Sequence, residues 1–100
     1  MKLYPKKLWR FSGIIESNDN IHKYNALLLN NETNKLEQVG FGYIYDTHYF
    51  DSTGLNSYSH LNNNNIMMKY DYITSHKKNV FEEFYNEIYF ELKYLWDYDK

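Results

Sequence analysis

The chain has no cysteine, and its 100 residues include four glycines but only one proline (Pro5), one alanine (Ala26) and one arginine (Arg10). Without cysteine, disulfides and thiolate zinc sites are excluded, and a reducing intracellular compartment is the natural expectation. No apolar run approaches the ~20 residues of a membrane span, and the early lysines lack the apolar stretch that makes a signal peptide. The expectation is a cytoplasmic protein with no membrane association. A single arginine is poor equipment for bidentate phosphate recognition. With 11 basic against 13 acidic residues the net charge is −2, so bulk electrostatics does not draw the chain to nucleic acid. There is no Gly-rich phosphate loop, no Gly-x-Ser-x-Gly elbow and no paired thiol site.

What is abundant is aromatic. Twelve tyrosines, six phenylalanines and two tryptophans are 20% of the chain, and 43% is hydrophobic, too much for a chain that stays disordered in water. The length accommodates one domain, residues 1–100. Asn, Lys, Tyr, Ile and Phe all have A/T-rich codons, so their excess points to an AT-rich genome such as that of a large DNA virus, phage, linear plasmid or reduced bacterium.

Periodicity sets the elements. Leu8 to Glu16 is rich in β-branched and aromatic residues and ends in Ser17, Asn18, Asp19 and Asn20, which predicts a strand and a turn. His22 to Asn30 and Lys35 to Asp46 read as a hairpin around Asn31–Asn34, with Gly40 and Gly42 permitting a bulge or close packing. From 47 to 65 the pattern loses its period, and the segment reads as a long loop packed through Tyr49, Phe50, Leu55, Tyr58 and Leu61. Within it the tract Asn62 to Asn65 reads as filler from codon bias. Asn65 can cap a short helix whose apolar face is Ile66, Tyr70 and Ile73, with Met67 beside them.

Phe81, Phe84, Tyr85, Ile88, Tyr89, Leu92, Leu95 and Trp96 follow helical spacing, with Asn79 and Glu82 resembling a capping box, so a helix of about four turns is predicted there. Phe90 and Tyr94 lie off that stripe and are the candidate partner-binding residues. The expected fold is α+β: a small antiparallel sheet of about three strands covered by a C-terminal amphipathic helix, with a shorter helix before it.

Three constellations bear on chemistry. Asp46, His48, Asp51 and His60 combine carboxylate and imidazole within fifteen residues, the groups that ligate divalent metals or exchange protons, although their spacing matches no ligand motif. His60, Asn62, Asn63 and His76 faintly match a His-Asn-His nuclease pattern. Lys6, Lys7, Trp9 and Arg10, with Lys77 and Lys78, would be the nucleic-acid-binding set, rings stacking on bases while lysines hold the backbone. No catalytic set and no cofactor is indicated.

Residues 41–78 resemble a small domain of large DNA viruses and phages that carries Gly-x-Ser-Asp-Tyr-x-x-His and then Tyr-Ile-x-Arg-His-Lys-Lys. Gly54 and Tyr58 fit the first part, Tyr72, Ile73, His76, Lys77 and Lys78 fit the second, and Phe41-Gly42 sits upstream. Ser57 replaces the aspartate, His60 falls one position early and Ser75 replaces the arginine. The resemblance implies a viral or mobile-element origin, hence the cytoplasm of a host, and carries no mechanism. The expected function is that of a small non-enzymatic accessory protein acting by protein–protein contact or self-association. The alternatives are a small nucleic-acid-binding module and a small metal-dependent hydrolase.

Overall fold

The computed structural model describes residues 1–98, which run β1 (Tyr4–Pro5), β2 (Trp9–Glu16), β3 (His22–Asn30), β4 (Leu36–Tyr43), α1 (Ile66–His76), β5 (Phe84–Tyr85) and α2 (Glu87–Leu95). Short 3-10 turns occur at Ser59–Leu61 and Lys77–Asn79. The arrangement is α+β. Strands β2, β3 and β4 form one antiparallel sheet in that order, and β1 pairs with β5 in a second, two-stranded one.

Asparagine and aspartate make the hairpin turns. The Asp19 carboxylate accepts from the Ile21 and His22 N–H groups at 2.8 Å each, and Asn20 takes the left-handed conformation with φ 62°. In the next turn the Asn30 side chain accepts from Glu32 and Thr33 N–H at 2.9 and 3.0 Å, and Asn34 has φ 58°. Both residue types tolerate that backbone and close a turn onto their own chain.

Alternation then buries one face of the central strand. Tyr24, Ala26 and Leu28 are fully buried, with Tyr24 opposite Phe41 and Ala26 opposite Val39. The bulge falls in β2, where the register shifts between Phe11 and Gly13. One extra residue there lets Phe11 and Ile14, three apart, both pack against the core. Gly42 instead serves close packing: its φ is +76°, and a Cβ on it would lie 2.6 Å from Leu95 Cδ1.

The predicted C-terminal helix begins later than its periodicity suggests. Phe84 and Tyr85 pair with Pro5 and Tyr4 as strand, so the helix cannot run through them. The working cap is Asn86, not Asn79: its side-chain oxygen accepts from Tyr89 N–H at 2.7 Å, and its amide donates to the Asn79 carbonyl at 2.8 Å. Phe81 is left exposed.

This overturns the reading of Phe90 and Tyr94 as a contact surface. Phe90 is 0% exposed, with its ring 5.5 Å from Phe11 and 5.9 Å from Phe41. Tyr94 is half-buried against the same two rings at 6.0 and 6.3 Å. Full burial of a ring such as Phe90 contributes about 3 kcal/mol, so this contact belongs to folding.

The irregular segment 47–65 packs onto the end of α2. Phe50 N–H donates to the Leu95 carbonyl at 3.1 Å and Ser52 N–H to the Tyr94 carbonyl at 2.9 Å, satisfying acceptors that a helix C-terminus leaves open. The asparagine tract is not filler. Asn62 bonds His48 and the Asp51 backbone, Asn64 is left-handed at φ 49°, and Asn65 caps α1 by accepting from Met67 and Met68 N–H at 3.1 Å each. Among the described residues no helix is long and apolar enough to cross a membrane.

Candidate functional site

Two neighbouring depressions share residues of α1 and the end of α2. The first is a narrow cleft of about 20 Å³ whose lining includes Lys23, Asp46, His48, Tyr72, Glu91 and Trp96. Its position follows from the fold. Lys23 enters from β3, Asp46 and His48 from the chain just after β4, Tyr72 from α1 and Glu91 from α2.

Ionisable groups are costly inside a protein of this size, so each must find partners. Lys23 is 1% exposed and donates from Nζ to the Asp46 carbonyl at 2.7 Å. Burial pushes its ammonium below the ordinary lysine value, against the opposing pull of Asp46, Glu91 and Asp51. Glu91 accepts from the Tyr72 hydroxyl. Burial raises the Glu91 carboxyl to about 7, offset in part by Lys23 and reinforced by Asp46.

His48, also 1% exposed, is bonded through Nε2 to Asn62 Oδ1 at 2.7 Å, and its Nδ1 has no hydrogen-bond partner. Burial and the Lys23 charge hold the imidazole below its usual value. Behind the cleft, buried Asp51 accepts from the Tyr24 hydroxyl, from Thr53 Oγ1 at 2.7 Å and from Tyr58 N–H at 3.3 Å. Burial acts to raise the Asp51 carboxyl, but these hydrogen bonds prevail and hold it below the ordinary value. The Tyr24 hydroxyl is pushed up to about 12 by burial and by its bond to Asp51.

The second depression is an open groove of about 310 Å³ lined by Met68, Asp71, Tyr72, Ser75, His76 and Trp96. Its floor is a column of rings. Tyr72 stacks on His76 at 4.0 Å and on Trp96 at 4.1 Å, with interplanar angles of 14° and 6°. Tyr72 therefore lines both depressions, its ring in the column and its hydroxyl on Glu91.

Beside the groove, α1 turns apolar side chains outward. Its covered flank is Lys69, Tyr72, Ile73 and His76, while Ile66, Met67, Met68 and Tyr70 are exposed, Met67 at 67% and Tyr70 at 59%. Of the face expected to be buried, only Ile73 is. Lys69 reaches Asp97 at 3.4 Å and lies over the Tyr49 ring at 4.9 Å, which draws the helix in by that flank. The sequence did carry a signal, two adjacent methionines on a helix with little charge, but periodicity assigned the wrong side.

The four weak metal candidates, Asp46, His48, Asp51 and His60, are not brought together as a ligand set. Asp51 points inward to Tyr24, His48 is held by Asn62, His60 stacks on Tyr58 at 6.0 Å, and Asp46 offers its backbone carbonyl to Lys23. Among the described residues no group of three or more His, Asp or Glu side chains is placed to hold a metal ion. The remaining parts of the nuclease pattern serve locally, Asn63 bonding Asn65 N–H at 2.8 Å and His76 bonding the Tyr72 carbonyl at 2.8 Å.

The basic candidates are divided. Lys6 lies over Tyr85 and Tyr89 at 5.2 and 4.6 Å, Trp9 is half-buried with its ring edge-on to Tyr4 at 5.4 Å, and Arg10 donates to Asn31 and Asn34 at 3.2 and 3.4 Å. Lys7, Lys77 and Lys78 are exposed, the last two in the turn that follows α1. No protein-family model matches the chain, and no curated protein or solved structure matches it either.

Proposed function

We propose that this chain is a small non-enzymatic accessory protein that binds a protein partner through α1 and the groove beside it. The observation that carries this reading is the outward face of α1. A helix on a soluble domain ordinarily turns charge to water and its apolar stripe to the core. Here Ile66, Met67, Met68 and Tyr70 are exposed on a helix already anchored by its other flank. Methionine is unbranched and polarizable, which suits a surface that adapts to a partner.

Charge complementarity narrows the partner. Lys77 and Lys78 stand exposed at the end of α1, and neither forms an ion pair among the described residues. An apolar segment flanked by acidic side chains would lay its apolar groups along Ile66, Met67 and Tyr70 and its acids beside the two lysines. Tyr72, Ile73, His76, Lys77 and Lys78, which carry much of the resemblance to the viral and phage domain, belong to this same helix and turn. The proposal extends to an accessory role of viral or mobile-element type in a host cytoplasm, with α2 as the amphipathic cover of the sheet.

The test is selection from a displayed peptide library on the wild-type protein, counter-selected on a Met67→Glu, Tyr70→Glu variant whose thermal melt matches the wild type. Enriched peptides that are apolar and acidic, and that bind the variant at least about tenfold more weakly, support the reading. No enrichment, enrichment blind to the two substitutions, or salt-sensitive retention of mixed-sequence nucleic acid in place of peptide would overturn it.

A further inference from the structure

An ordered turn of this chain carries the chemistry that the groove beside α1 requires of a partner. Phe81, Glu82 and Glu83 follow the 3-10 turn at Lys77–Asn79 and are all exposed, Phe81 at 42%. A ring this exposed leaves much of its apolar area in water. Two backbone bonds hold the turn in shape: Phe84 N–H donates to the Phe81 carbonyl at 3.2 Å, and Lys6 N–H donates to the Glu83 carbonyl at 2.9 Å. Among the described residues neither Glu82 nor Glu83 forms an ion pair. The turn is held away from the groove of its own molecule. Phe81 and Glu82 line a separate depression with Lys6, Val80 and Tyr89, which shares no residue with that groove, and the bond from Lys6 ties the turn to the end of β1.

Turn and groove are complementary in charge and in apolar character. Lys77 and Lys78 directly follow His76, so two positive charges stand where the groove ends, and Glu82 and Glu83 directly follow Phe81. At no more than ~3.6 Å per residue both acids lie within roughly 7 Å of the ring. The groove offers that ring the Met68 thioether and the His76 imidazole, and a thioether contact favours an aromatic partner. The groove's own carboxylate, Asp71, stands toward its other end, about 9 Å along the helix axis from Lys77 at ~1.5 Å per residue, and so does not oppose the two acids at close range.

We infer that the groove beside α1 takes a second copy of this chain, with Phe81 of one molecule seated between Met68 and His76 of another, and Glu82 and Glu83 beside Lys77 and Lys78. The inference rests on the reading of α1 as a docking surface and names its partner. Because the turn is already ordered by its two backbone bonds, little conformational freedom is lost when it docks.

Sedimentation velocity of the full chain at low salt, from about 10 μM to about 1 mM, tests it. The wild type should associate as concentration rises, and Phe81→Ser should weaken that association at least about tenfold. The doubly reversed variants Lys77→Glu, Lys78→Glu and Glu82→Lys, Glu83→Lys should each stay monomeric alone and associate when mixed, because the mixture restores opposite charges at both contacts. All five side chains are exposed, and thermal melts matching the wild type check that each variant is folded. A wild type monomeric throughout, association indifferent to Phe81→Ser, or a mixture no more associated than its components would each overturn the inference. A monomer whose selected peptides still respond to Met67→Glu, Tyr70→Glu overturns it while leaving the docking role of α1 in place.

Discussion

Glu91→Gln should change how the stability of this protein depends on pH, and the size of the change follows from the cleft. Burial holds the Glu91 carboxyl at about 7 in the folded chain, against an ordinary value of 4.5. The folded state thus favours the protonated form. That contribution is complete below about pH 4.5 and is lost as pH rises through about 7. At about 1.4 kcal/mol per pH unit the whole span corresponds to roughly 3 kcal/mol. Glutamine keeps an oxygen for the Tyr72 hydroxyl and does not titrate, while Asp19 and Asp51, whose shifts owe nothing to Glu91, titrate alike in both proteins; Lys23, which loses the pull of Glu91, is held further below its ordinary value in the variant.

The difference in unfolding free energy between variant and wild type isolates Glu91, and reversible urea melts across the pH range measure it. The variant should gain on the wild type by about 2 kcal/mol between about pH 5 and pH 8. The loss of Coulombic attraction to Lys23 lowers the variant's absolute stability without removing that slope. A difference that is flat with pH would refute the reasoning, because it would mean that Glu91 titrates as an ordinary surface carboxylate and that the cleft is open to water.

Three further substitutions examine the fold and its caps. Phe90→Ala should cost about 3 to 5 kcal/mol by calorimetry or urea melt, the cost of emptying a core site, and a loss under about 1 kcal/mol would return Phe90 to the surface. Gly42→Ala should cost roughly 1 to 3 kcal/mol, because the methyl meets Leu95 Cδ1 at 2.6 Å from a backbone at φ +76°. Replacing the α1 cap, Asn65→Ala, should cost about 1 kcal/mol and speed amide exchange in the first turn of α1, while leaving exchange in β3 unchanged.

Much of the sheet was legible because its signals are local. Alternation and turn residues bounded Leu8–Glu16 and His22–Asn30 to within a residue of β2 and β3, and Asn65 was recognisable as the cap of α1. What was not legible depends on distant partners. Asn79 and Asn86 both precede acidic residues in a helical pattern, and only the pairing of β1 with β5 decides between them. Phe90 lies off the stripe counted from Phe81, yet the sheet offers Phe11 and Phe41 opposite it.

The candidate site was partly legible for the same reason. Asp46, His48, Asp51 and His60 were singled out together, and of the four only Asp46 and His48 line the cleft, where Lys23, Tyr72 and Glu91 arrive from three other elements. A lone lysine in a strand and a glutamate on a helix look like ordinary surface residues until the fold encloses them. The exposed flank of α1 was misassigned because its apolar spacing cannot tell a core face from an exposed one, and only Lys69 bound to Asp97 and Tyr72 stacked on Trp96 show which flank is covered.

The central claim is that α1 is a docking surface, and amide hydrogen exchange of the wild-type protein, with and without a peptide selected on it, tests that claim most directly. Protection gained over residues 66–78, with β2 and the turn at Asn31–Asn34 unchanged, is the predicted result. Protection gained instead around Lys6 to Arg10 with α1 unaffected would contradict it.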